Sequence, residues 1–124
     1  MFGMLKPQLQ PISAKTAAYQ VVVGDLGTLF TTRGNGGSLT FTLPAVADVP
    51  TGWWCEFYNA AGQTMVVASS GSLDNVTTFN DLTADSITFS TSSELIGAAV
   101  KVVWDGTGWL SFLHTEETQT ATIA

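Results

Sequence analysis

Val100-Lys101-Val102-Val103-Trp104 runs into Asp105-Gly106-Thr107-Gly108, and Trp109-Leu110-Ser111-Phe112-Leu113 runs out of it. Both flanks are rich in β-branched and aromatic residues, whose shape suits a pleated, half-buried surface. Asp-Gly supplies the positive φ that a tight hairpin turn demands. The stretch therefore predicts an antiparallel hairpin, closed by a cross-strand pair between Trp104 and Trp109. Further back, Ser38-Leu39-Thr40-Phe41-Thr42-Leu43 alternates polar and apolar throughout, the period of a strand with one buried face. Strands are also predicted over 18–23, 29–32, 53–59, 76–79 and 86–89. Residues 63–68 are expected to return beside 53–59 as a hairpin partner, across the turn Asn59-Ala60-Ala61-Gly62.

No segment carries a helical period, and strand candidates recur about every 8–12 residues with turn formers between them. The fold class is therefore all-β: a single antiparallel β-sandwich, a jelly-roll-like domain or a short barrel. A length of 124 residues suits one domain. Three parts are expected. Residues 1–18 hold Pro7 and Pro11, which resist a continuous helix and remove ladder donors, and read as an extended N-terminal arm. Residues 19–114 form the β domain, and 115–124 a polar, loose C-terminal tail.

Charged residues make up only 11% of the chain, so threonine, serine, asparagine and glycine must keep the surface wet. The net charge is −6 with four basic residues, Lys6, Lys15, Arg33 and Lys101. No cluster of cations exists to displace counterions from phosphates, so a nucleic-acid partner is not expected. No apolar run approaches the ~20 residues of a membrane-spanning helix, and the opening residues lack the apolar core of a signal peptide. Neither membrane association nor secretion by that route is expected.

Chemistry-bearing residues are sparse. Cys55 stands alone within an aromatic strand and reads as a small buried hydrophobe. His114 is the sole histidine, at a strand end. The loop aspartates Asp74, Asp81 and Asp85 do not follow the spacing of a calcium loop. The glycines of 34–37 lack the lysine and helix of a phosphate loop. No catalytic, cofactor-binding or metal residues are assigned, and the chain is not expected to be an enzyme. Contacts with other proteins are the remaining lead. The arm's Phe2, Met4, Leu5, Leu9 and Ile12 exceed what a solvated tail needs, so the segment is either a loose terminus or an arm that orders against a neighbouring subunit. Trp53 and Trp54 are adjacent and so face opposite sides of a strand, leaving one of the two to anchor a partner.

Several stretches resemble small virion proteins of tailed bacteriophages. They are Tyr19-Gln20-Val21-Val22-Val23-Gly24-Asp25-Leu26-Gly27-Thr28-Leu29-Phe30, Leu39-Thr40-Phe41-Thr42-Leu43-Pro44, and Gly52-Trp53-Trp54 leading into Phe57-Tyr58-Asn59, with Val100 to Trp109 closing the pattern. The resemblance is to head-decoration (cement) proteins and fibre-associated β modules, and spans about residues 19–113. It implies a β-sandwich or β-barrel domain, commonly a homotrimer, attached to a capsid or tail. A short chain with an apolar arm and no shaft repeats favours decoration. The expected partners are then the major capsid protein and further copies of the chain, on the outer capsid surface of a virion assembled in the host cytoplasm. The alternative is a receptor- or carbohydrate-binding module of a tail or head fibre.

Overall fold

The computed structural model describes residues 9–70, 76–78, 80–91, 95–114 and 121–124. Among these the chain is all-β. The strands are β1 (Ile12–Ala14), β2 (Tyr19–Gln20), β3 (Leu29–Thr31), β4 (Leu39–Thr42), β5 (Trp54–Tyr58) and β6 (Met65–Ala68). They continue with β7 (Val76–Thr78), β8 (Asp81–Ala84), β9 (Ser86–Phe89), β10 (Ala99–Trp104), β11 (Trp109–His114) and β12 (Thr122–Ile123). They form a seven-stranded sheet, β1-β3-β5-β10-β11-β7-β8, and a five-stranded sheet, β12-β9-β6-β4-β2, packed face to face as a sandwich.

Strand burial follows the expected period. In β4, Leu39 and Phe41 are buried between half-buried threonines, and β10 alternates from end to end. The predicted hairpin is present: β10 and β11 pair antiparallel, with Trp104 opposite Trp109 and their rings 5.3 Å apart. Gly106 takes φ +95°, and Asp105 N donates to Gly108 O across the loop.

The sheets are mixed rather than purely antiparallel, and the reason lies in the path of the first half. From β1 to β6 the chain changes sheet at every connection, so β1, β3 and β5 lie parallel in one sheet and β2, β4 and β6 lie parallel in the other. A crossing after each strand returns the chain to the same sheet in the same direction, whereas a hairpin reverses it. The expected hairpin between 53–59 and 63–68 is therefore absent: β5 and β6 lie in opposite sheets. None of Asn59 to Gln63 adopts the positive φ of a tight hairpin. Asn59 instead ties off the end of β5. Fully buried, it accepts from Thr32 Oγ1 (2.6 Å) and donates Nδ2 to Gln63 O (2.9 Å), while the backbone N–H of Ala60 donates to Thr32 Oγ1. The backbone and side-chain polar groups of Asn59 thus all find partners, as a fully buried residue requires.

Both chain ends add to the sheets. Ile12–Ala14, read from sequence as part of the arm, is the edge strand beside β3, held by Leu29 N–H to Pro11 O and Lys15 N–H to Thr31 O, both 2.8 Å. At the other end β12 pairs with β9, so the tail expected to be loose finishes in the five-stranded sheet. The strand expected over 18–23 stops at Gln20, because Val23–Asp25 makes a 3-10 turn closed by Asp25 N–H to Val22 O. β8 was missed in sequence, its burial pattern showing no alternation to detect.

The core is aromatic and crosses the gap between sheets. Phe57 of one sheet lies 5.0 Å from Phe41 of the other and stacks at 5.6 Å on Phe30, while Tyr19 lies 5.3 Å from Phe30. A second cluster joins Trp53, Trp104 and Trp109, with Trp53 edge-on to Trp109 at 5.7 Å. Such pairs add about 0.5–1.5 kcal/mol beyond area burial. Replacing Phe57 by alanine is expected to lower the unfolding free energy by about 3–5 kcal/mol. Phe112→Ala, on the outer side of the same sheet, is expected to cost under about 1 kcal/mol. Urea midpoints at unchanged m-value measure both.

Candidate binding face

Alternation along each strand gives the sandwich two outer faces of different character. On the five-stranded sheet the outward positions are Gln20, Thr40, Thr42, Val66, Ala68, Ser86, Thr88 and Thr122, mostly hydroxyls and small side chains. On the seven-stranded sheet the ladders align three outward rows. One runs Trp54–Val103–Leu110, the next Ile12–Leu29–Glu56–Lys101–Phe112, and the third Ala14–Thr31–Tyr58–Ala99–His114. Aromatic and aliphatic groups dominate, and several face water: Ile12 is 68% exposed, Phe112 51% and Tyr58 40%.

Trp53 and Trp54 divide as adjacent strand residues must. Trp53 is buried, with its indole N–H donating to Val23 O at 2.8 Å, so it belongs to the core and is not an anchor. Trp54 turns outward. Gly27 lies against it; its φ of +75° favours glycine, while the site of a Cβ would sit at an ordinary contact distance of 3.5 Å from the ring, and Gly27 N–H donates to Trp54 O. Lys101 Nζ sits 4.8 Å from the centre of the Trp54 ring, a cation–π contact worth about 0.5–1 kcal/mol at a site open to water.

The described part of the arm borders this face. Gln10 Nε2 donates to Gly27 O (3.1 Å) and to Glu56 Oε1 (2.5 Å), strapping the segment to the sheet. Leu9, 88% exposed, lines a shallow groove with Pro11, Gly27 and Trp54. A second groove, of about 420 Å³, is lined by Glu56, Lys101, Val103, Phe112 and His114. Of the sequence candidates the structure thus gathers Leu9, Ile12 and Trp54 on one face. Phe2, Met4 and Leu5 lie outside the described residues. Tyr58, Phe112, Glu56 and Lys101 were missed. The signal for the first and third was their spacing at two-residue steps from Trp54, on the outward side of the same strand.

Titratable groups elsewhere are used structurally. Burial, then the charges of Asp25 and Glu56, pushes the Cys55 thiol up, so it stays protonated inside the core. Partial burial, then the hydrogen bond and charge of Asp25, raises the Tyr19 hydroxyl, which donates to Asp25 Oδ2 at 2.9 Å. Asp81 Oδ1 accepts from the Thr83 N–H at 2.8 Å. Among the described residues no three of His, Cys, Asp and Glu are grouped so as to hold a metal ion. The geometry of the face suits contact: a rigid sheet presents apolar and aromatic groups around one acid and one base.

No family model matches the sequence, and no curated protein is found similar to it.

Asp105 holds the hairpin loop that ends the central strand of this face. Its Oδ1 accepts the N–H groups of Thr107 and Gly108, each at 2.8 Å, and these bonds keep its carboxyl below the usual aspartate value. A folded pKa below the unfolded one means that the stabilisation is complete above about pH 4 and is lost as pH falls through the folded value. Asp105→Asn keeps an acceptor oxygen but no charge. The wild type is expected to be the more stable at about pH 7, with the gap narrowing as the pH falls below about 4. Chemical denaturation along a pH series from neutral downward checks this.

Proposed function

We propose that this chain is a structural virion protein of a tailed bacteriophage, a homotrimeric decoration protein seated on junctions between major-capsid-protein subunits at the outer surface of the shell. The observation that carries the reading is the outer face of the seven-stranded sheet. It presents Trp54, Tyr58 and Phe112 on a rigid scaffold, in a chain whose other sheet face carries mostly hydroxyls and small side chains. The resemblance of residues 19–113 to small virion proteins supports the same reading. Its energetics are favourable for a bracing part. Each copy needs only modest contacts, because copies joined to one another bind the lattice at high effective concentration. Bracing also needs no catalytic group, only a scaffold that resists distortion, which two sheets locked by aromatic packing provide.

Electron microscopy of virions carrying the chain tests the proposal. The expected result is domain-sized density on the shell, repeated at the junctions between capsid subunits. Density confined to the tail would contradict it and favour the fibre module instead.

A further inference from the structure

We infer that copies of this chain meet one another through the outer face of the seven-stranded sheet, with Glu56 of one copy against Lys101 of the next. The inference rests on the self-assembly in the proposed function and adds the surface and the pairing. Charge is the first argument. Copies of net charge −6 repel one another, so contact is least opposed where the surface is neutral. Among the described strand residues of this sheet the formally charged side chains are Glu56, Lys101 and, on the far edge strand β8, Asp81; Glu56 and Lys101 cancel at the centre, leaving β1, β3, β5, β10 and β11 neutral there.

Their position is the second argument. Glu56 and Lys101 are Cα partners on β5 and β10, and β10 is the middle strand of the seven. In a closed three-fold ring each contact is heterologous, one part of the face on one copy meeting a different part on the next, and an acid on β5 beside a base on β10 gives each copy one charge for either side of that contact. Neither group is consumed within the chain. Glu56 accepts from Gln10 at Oε1, and the Lys101 ammonium rests over the Trp54 ring. A carboxylate oxygen and the ammonium donors remain for a neighbour. Trp54, Val103, Leu110 and Phe112 surround the pair and would exclude water from it, which sharpens the penalty for a like-charge mismatch.

Sedimentation of the full chain tests the inference with Glu56→Lys, Lys101→Glu and the double exchange. The wild type is expected at three times the 13.1 kDa chain mass at micromolar concentration. Each single reversal is expected to weaken assembly by about tenfold or more, because like charges then oppose, and the double exchange to restore it. Both positions lie on the surface, and recovery in the double exchange separates lost contact from lost folding. Four results would overturn the inference. Single reversals that assemble like the wild type would place the contact on another surface. A double exchange that stays apart while the singles dissociate would remove the Glu56–Lys101 pairing. Single reversals that assemble normally but no longer bind capsid particles would assign the face to the shell. A wild type that sediments as a monomer overturns both the inference and the trimer, while leaving shell location to the microscopy.

Discussion

Phe57 and Phe41 meet across the middle of the sandwich with ring centroids 5.0 Å apart, and the two sheets are positioned by that contact and its neighbours. Phe57 also stacks on Phe30 in its own sheet, and Tyr19 closes on Phe30 from the other. The residues involved belong to β2, β3, β4 and β5, strands that alternate between sheets. Each crossing of the chain therefore delivers an aromatic ring to a shared layer, and the rings hold the crossings in place. A tryptophan cluster of Trp53, Trp104 and Trp109 fills the end where β5, β10 and β11 meet in one sheet.

The same constraint fixes what the molecule shows to its surroundings. Because side chains alternate across a strand, seating Phe57 and Cys55 in the core obliges Trp54, Glu56 and Tyr58 to point outward. In β10, burial of Val100 and Val102 sends Lys101 and Val103 out beside them. The candidate binding face is thus the reverse side of well-packed strands, and inherits their rigidity. The opposite sheet turns threonines outward from equally well-packed strands, and that contrast singles out one face.

Local patterns were legible in the sequence, and long-range pairing was not. The alternation of 39–43 and the Asp105–Gly106 hairpin depend on neighbouring residues, so they could be read directly. The crossing between β5 and β6 depends on Asn59 meeting Thr32, a residue 27 positions earlier, and no local signal announces it. The pairing of Ile12–Ala14 with β3 was hidden likewise, since three residues beside prolines carry no period. The tryptophan pair was read halfway: adjacency showed that one ring faces out, but choosing Trp54 needed the ladder that buries Trp53. Glu56 and Lys101 were visible as residues yet not as a pair, because their opposition follows from the register of β5 against β10.

The central claim is that the outer face of the seven-stranded sheet is the working surface of the molecule. Hydroxyl-radical footprinting, comparing the chain at assembling and at dilute concentrations, tests it most directly. The account predicts that Trp54, Tyr58 and Phe112 lose reactivity on assembly, while Val22, exposed just past β2 of the other sheet, keeps its own. Equal reactivity of Trp54 and Phe112 in the two states, with protection appearing at other residues, would contradict it.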